Sequence, residues 1–559
     1  MLSRLSLFVA AICAVMLAGG CQTAHHATYG ELHDKVANGE AVDVRELREA
    51  FGHDVALPEN MERLSELEQQ ALQLVEDEPL KLGSIGSAIL DIYQASVTGH
   101  YVMTRFYDHV EAPEAAAGHL DWLARIKADM ERSADGSRER PLPVMTSVDA
   151  QMYVIYQGMS PVGAIYQTSD EHPFTLLIQA RPEGGPIENF NFDLTSVYQA
   201  MRMDFATSVT ADGSAHTDDD FSPFSVIGYL AKRGDTAAQA AIGAFLASQN
   251  RHKDAIDWLR AASRTGNLVA SSVLARLYWE QASNAEDDAE REEALDEVLE
   301  NYLHAIALGS TDAMYALAVL YLNGQYGEEN RSSGVTLLTQ ATEANHPEAA
   351  LFLAHLYYTG DVVTQDLARA RDYYVQACQL DNDFAIRSYA RFLLDRTAAQ
   401  PADPRILKWL ETLAKSDDAE AMLLLGNFHA RGLGTTQSFS RAVRWYRQAV
   451  KTAPADASIV NEIAWTLTVS NFEELKRTKY ARTIMDTLME SNVDARARPE
   501  YLDTWAAAYA ANGDFDRAIE LQQQALAVAE KMQFDSVLDI LREHLDAFHG
   551  GKTITETAP

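Results

Sequence analysis

The feature that most constrains this chain is a residue pattern that returns every 36 positions between residues 313 and 449. Ala313, Ala349, Ala385 and Ala421 stand 36 apart, and so do Leu317, Leu353, Tyr389 and Leu425. Ala318, Ala354, Ala390 and Gly426 keep the register, followed by Gly324, Gly360, Arg396 and Gly432. A period of about 20 to 50 residues marks a stacked repeat, a unit that buries its apolar face only against its neighbours. Within a unit, Ala349, Leu353 and Tyr357 step by four, which places them on one stripe of an amphipathic helix. Gly360 falls where that helix should stop, because Gly accepts the left-handed residue of a helix end. A second stripe follows in Ala370, Tyr373, Tyr374 and Ala377, and again in Ala442, Trp445, Tyr446 and Ala449. Each unit is therefore expected to be a helix pair.

Ala421-x3-Leu425-Gly426, Gly432-Leu433-Gly434 and Arg441-Ala442-x2-Trp445-Tyr446-x2-Ala449 resemble the Sel1-like repeat, a relative of the tetratricopeptide repeat. The unit at Ala349 is similar to it through Gly360-Asp361-Val362, Asp366, Ala370 and Tyr373-Tyr374. The unit at Ala385 departs from the pattern, with Arg396 at the turn Gly and no second-helix aromatic until Trp409. Asn461-Glu462-Ile463-Ala464-Trp465 and the run from Leu502 through Trp505 and Tyr509 resemble tetratricopeptide first helices. A last helix through Leu538, Leu541 and Leu545 should cover the open end, as a stacked array requires, and residues 550–559 read as a disordered tail. Upstream, helix pairs resume at Asp235. The step from Ala270 to Ala313 is 43, and its surplus of seven falls in the acidic stretch 283–293, read as a solvated extension.

The amino-terminal twenty residues read as an export signal. Arg4 supplies the positive end, and residues 5–17 form an apolar run shorter than the roughly 20 residues that a membrane span needs. Leu17-Ala18-Gly19-Gly20-Cys21 resembles a bacterial lipobox, which implies lipidation at Cys21. Ala18 stands where that motif usually has Leu, so a secreted or soluble periplasmic protein stays open. Gln22 resembles the second residue of lipoproteins sent to the outer membrane, with residues 21–28 as the linker behind the anchor. Cys13 leaves with the signal, so Cys378 has no disulfide partner and is expected to be a small buried side chain.

Residues 29–210 lack the repeat register. Helical stripes run through Val44 and Leu47, through Leu64, Leu67 and Ala71, and through Leu120, Leu123 and Ile126. Met152-Tyr153-Val154-Ile155-Tyr156, Ala164-Ile165-Tyr166 and residues 174–180 read as antiparallel strands, with a fourth at Phe190-Asn191-Phe192-Asp193. This is an α+β domain, weakly similar to an uncharacterised bacterial domain family through residues 42–48 and 190–192, a likeness that implies a fold and no activity. Residues 211–234 read as an acidic linker. The Asp residues 212, 218, 219 and 220 lack the spacing of a calcium loop. The expected fold is mostly α: a right-handed α-solenoid, Sel1-like over 235–455 and tetratricopeptide-like with its cap over 456–549, behind the smaller α+β domain.

Composition bears on partners. The formal charge is −35, and −36 once Arg4 is removed, which disfavours nucleic acid and anionic headgroups. No catalytic constellation, metal set or cofactor motif stands out, so neither an enzyme nor a cofactor is expected. His544 and His549 lack the Glu of a zinc-protease helix. If the pairs stack as tetratricopeptides do, the first helix of each lines a concave face. Its outward positions include Arg276, Trp279, Tyr315, His355, Tyr358, Arg387, Arg391, Asn427, Asn461 and Trp465. Arg and aromatic side chains are common interface anchors. The expected role is a lipid-anchored envelope scaffold whose groove takes an envelope protein or peptide, Arg387 and Arg391 pairing with carboxylates of an acidic partner. The alternative places an enzyme or small-ligand sensor in the α+β domain, with the repeats as a docking arm.

Overall fold

In the computed structural model, the described residues are 27–207, 222–395 and 403–556. The chain divides into two compact units, Met1–Ala313 and Met314–Pro559. The first opens with α1 (Tyr29–Ala37), α2 (Val44–Gly52), α3 (Leu57–Leu74), α4 (Leu82–Ile92), α5 (Val97–His109) and α6 (Pro113–Met130). Their starts follow from local chemistry. Thr28 and Glu31 form a capping box, Asp43 and Ser96 cap α2 and α5, and Pro113 occupies the first turn of α6.

Next come β1 (Leu142–Pro143), α7 (Ser147–Tyr156), β2 (Met159–Gln167), β3 (Thr175–Pro182) and β4 (Glu188–Asp193). The sheet order is β1-β4-β3-β2, antiparallel except for β1, which runs parallel to β4. The apolar run at 152–156, expected as a strand, is instead the end of α7. Thr146 caps that helix through the Asp149 amide, and Val148, Met152 and Tyr153 are buried. A short apolar run has no period that separates a buried strand from a buried helix.

α8 (Thr195–Thr207) and α9 (Pro223–Lys232) follow. α9, capped by Ser222, fills much of the stretch read as linker. α10 (Thr236–Ser248), α11 (His252–Arg264), α12 (Leu268–Asn284) and α13 (Asp288–Ala307) are two helix pairs. The seven surplus residues add no long loop; they lengthen α12 and α13, leaving 286–293 exposed. Both pairs belong with the sheet. α10 and α12 pack on β2, Asn267 Nδ2 donates to the Ala164 carbonyl at 2.8 Å, and Val162 joins Leu268 and Ala305 in one apolar cluster. Gly163 eases this close approach, since a Cβ would meet the Leu268 amide nitrogen at a tight 3.2 Å.

The second unit holds α14 (Thr311–Leu322, which begins at the boundary), α15 (Arg331–Glu343), α16 (Pro347–Thr359), α17 (Leu367–Gln379), α18 (Asp383–Leu394), α19 (Arg405–Lys415), α20 (Ala419–Arg431) and α21 (Phe439–Thr452). It continues through α22 (Ala457–Val469), α23 (Thr478–Ser491), α24 (Pro499–Ala510), α25 (Phe515–Lys531) and α26 (Asp535–His549). The 36-residue register has a physical meaning at the junctions between pairs. Asn345, Asp381 and Asp417 adopt positive φ of 63°, 54° and 60°, a region that Asn and Asp enter more readily than other side chains. The next residues, His346, Asn382 and Asp418, cap the following helix and accept the amides of Ala349, Ala385 and Ala421 at 3.1, 2.8 and 2.8 Å. Gly360 and Gly432 end α16 and α20 at φ 75° and 70°. The unit that lacks the turn Gly still forms α18 and α19, because both of its junctions are intact; Arg396 itself lies outside the described residues.

Burial follows the stripes. Leu353, Ala354, Ala385, Tyr389, Leu425 and Tyr446 are fully or almost fully inaccessible, the Ala residues letting helices approach and the Tyr rings filling the space between them. Cys378 is free and buried, its thiol pushed up to about 12 by burial and by nearby Asp403. The expected disordered tail is ordered as far as 556. Gly551 at φ 65° turns the chain after α26, Lys552 donates to the Ala547 carbonyl at 2.9 Å, and Glu556 forms a parallel bridge with Ser470.

Candidate functional site

The candidate residues lie on the first helix of each pair. In the first unit, α12 leaves Arg276 exposed and Trp279 half-buried. In the second, Tyr315 stacks on the capping ring of His346 with centroids 5.1 Å apart, and Phe352 meets it edge-on at 6.4 Å. His355 is exposed. The Tyr358 hydroxyl donates to Asp395, and that bond, with burial behind it, pushes the phenol up to about 12.

The two arginines expected to hold a partner's carboxylates are already engaged by carboxylates of this chain. Arg387 donates through Nη1 to Asp418 at 2.6 Å and its Nε lies 3.5 Å from Glu420. Arg391 reaches the other Glu420 oxygen at 2.6 Å, yet its side chain stays 58% exposed, against 20% for Arg387. Arg387 therefore ties α18 to the cap of α20, whereas Arg391 presents a guanidinium edge to solvent. Asn427 is buried. It accepts from the Tyr446 hydroxyl at 2.7 Å and donates to Glu462 at 3.1 Å, joining α20 to α21 and α22. Glu462 is exposed as a residue, and the protein packed around its carboxyl pushes that group up, partly offset by the hydrogen bond from Asn427. The register places Asn427 outward because it counts only one helix; α20 is covered all round between its ends, every residue from 421 to 430 being buried.

On α22, Asn461 and Trp465 are half-buried. Trp465 Nε1 donates to Glu556 Oε2 at 2.9 Å, and its ring lies 5.8 Å from that of His544. His544 bonds Asp503 through Nδ1 at 2.9 Å; burial lowers its pKa, but the Asp503 carboxylate more than reverses this and the net shift is upward. Asp395, Glu420, Glu462 and Glu556 are the carboxylates that engage the candidate residues and that the register does not reveal. Only Asp418 had a signal, its 36-residue spacing from Asn382.

The α+β region holds a cavity of about 450 Å³, lined by Arg45, Arg48, His53, Arg132, Ser196 and others. Its arginines are internally paired: Arg45 with Glu49 at 2.8 Å, and Arg48 and Arg132 with Asp129 at 2.7 and 3.3 Å. Among the described residues no cluster of three or more His, Cys, Asp or Glu is placed to hold a metal, and no helix is long and apolar enough to cross a membrane. Cys21 and the four Asp residues of 211–220 lie outside the described residues.

Successive helix pairs whose first helices carry polar cross-links, with a small sheet before them, define a helical-repeat protein. Within that class the repeats are of a recognisable kind: residues 311–346, 347–382 and 419–451 match the Sel1 repeat model. The chain is similar over 197 residues, at 24% identity, to an uncharacterised protein of Neisseria meningitidis serogroup B, a match spanning 35% of this chain and 38% of that relative. Among solved structures it is similar to a Sel1 repeat protein from Oxalobacter formigenes (15% identity, TM-score 0.39, 55% of this chain and 88% of that one). It is also similar to a protective antigen of uropathogenic Escherichia coli displaying an SLR fold (13% identity, TM-score 0.40, 91% and 97%).

Proposed function

We propose that this protein is a lipid-anchored scaffold of the bacterial cell envelope, facing the periplasm from the outer membrane, which holds a protein or peptide partner on the concave first-helix face of its repeats. The observation that carries the reading is that face in the second unit. Exposed His355 and the open edge of Arg391 sit among half-buried Tyr315 and Tyr358, a mixture of aromatic anchors and polar groups suited to an interface core with a polar rim. Sel1-type repeats support the protein-binding role, and the apolar run ending at Cys21 supports the anchor. A surface of formal charge −35 argues against nucleic acid as the partner.

The double variant H355E/R391Q tests the face. Both side chains are exposed and Gln sets no second carboxylate against Glu420, so the thermal midpoint should move by no more than about 4 °C, while capture of the envelope partner by the tagged full chain should be lost. Undiminished capture contradicts the reading. For the anchor, Cys21→Ser should shift the protein from the membrane fraction to the soluble periplasmic fraction; retention in the membrane excludes lipidation at that residue.

A further inference from the structure

The last turns of the repeat array already hold a peptide, and it is the chain's own. After Gly551, residues 552–556 run back to the end of α22. The Glu556 amide donates to the Val469 carbonyl at 2.7 Å, and the Asn471 amide donates to the Glu556 carbonyl at 2.8 Å, bracketing Ser470 as one step of a parallel β-ladder. Ile554, half-buried, packs on the apolar cluster beneath. The Glu556 carboxylate accepts the indole N–H of Trp465 at 2.9 Å, and the His544 ring stands on that indole at 5.8 Å. Lys552, Thr553 and Thr555 are exposed and make no comparable anchor. The segment is thus held by backbone pairing, one aliphatic side chain and one carboxylate two residues later, which is how an extended peptide is recognised on an open edge.

The charge of the whole chain does not oppose an acidic ligand here, since exposed charges farther than about 10 Å are screened and Trp465 and His544 act at contact.

We propose that residues 552–556 are a tethered competitor for a peptide site at Trp465, and that the partner is an extended acidic peptide, with an aliphatic residue two positions before a carboxylate, which displaces them. This rests on the reading that the repeats bind a protein partner, and it names the chemistry of that partner. Tethering holds the tail at an effective concentration on the order of millimolar, so an incoming peptide must bind well to replace it.

The test uses the full chain and, as probe, a labelled amidated synthetic peptide of residues 550–556, followed by fluorescence anisotropy. The variant I554S/E556A unseats the tail and should bind the probe about tenfold or more tightly than the native chain. Adding Trp465→Phe, which keeps an aromatic side chain but loses the indole N–H together with the fused five-membered ring, should cost about tenfold again. Equal probe binding by the native chain and I554S/E556A overturns the proposal, as does indifference to Trp465→Phe. If I554S/E556A lowers the thermal midpoint by more than a few degrees, the single variant Glu556→Ala, which removes the acceptor of the Trp465 N–H, replaces it with a smaller gain in the same direction. Probe binding and partner capture fail separately: a chain that takes the probe through Trp465 but captures no envelope protein leaves the tethered site standing and removes the scaffold reading.

Discussion

Glu68 is inaccessible to solvent on α3, and burial together with nearby Asp149 raises its pKa well above the ordinary carboxylate value. Asp149, also buried, accepts from Ser96 Oγ, Thr98 Oγ1 and the Thr98 amide at 2.7 to 2.9 Å, so it is the better solvated of the two. The folded protein therefore keeps on Glu68 a proton that the unfolded chain releases near pH 4.5. Its stabilising contribution is complete below that pH and is lost progressively as pH rises towards the folded value. Glu68→Gln removes the titration and keeps the shape. Its thermal midpoint, compared with the native chain at pH 5, 6 and 7, should pull ahead progressively; a constant difference between the two contradicts a buried protonated Glu68. At the same scale Arg387 and Arg391 show why side chains of one type diverge. The first spends its charge on Asp418 and the second keeps an edge free, a distinction set by the neighbouring first helix 31 residues further on and invisible in any local pattern.

The helix pair is the element that the sequence describes best. The stripes Ala349-Leu353-Tyr357 and Ala370-Tyr373-Tyr374 mark two helices directly, and the junction residues 345–346, 381–382 and 417–418 were equally present at 36-residue spacing. The apolar stripes hide them, because Asn, Asp and His at a turn look like ordinary loop composition until their backbone angles are known. The stretch 152–156 was illegible for a different reason: five apolar residues carry too little period to choose between strand and helix. Tail order was illegible as well, since it depends on a contact between residues 469–471 and 556. Gly426 makes packing testable within one pair. A Cβ there would lie 2.2 Å from the Tyr446 ring, which is held by its hydroxyl on Asn427. Alanine gains about 1 kcal/mol of helix propensity, but overpacking a filled core costs about 1 to 3 kcal/mol. The equivalent buried pair, Ala354 and Tyr374, has His355 where Asn427 stands, so its ring is not tied in the same way. Gly426→Ala should therefore lower the denaturation midpoint, and Tyr446→Phe, by releasing the ring, should make the double variant less damaged than the sum of the two; strict additivity contradicts this account.

Across the whole molecule, the first two helix pairs are built onto the sheet, and the Sel1 matches fall at 311–346, 347–382 and 419–451, nearly all of them in the second unit. Secondary-structure stripes foretold the stack but not the attachment, which rests on Asn267 reaching Ala164 across 103 residues of chain. The account's central claim is that the first-helix face of the second unit is the partner-binding surface. Photo-crosslinking amino acids placed singly at 355 and 391 on that face, and at 408 on the exposed side of second helix α19, test it most directly in intact cells. The account predicts the same adduct from positions 355 and 391 and none from 408. An adduct from 408 with none from 355 or 391 would contradict it.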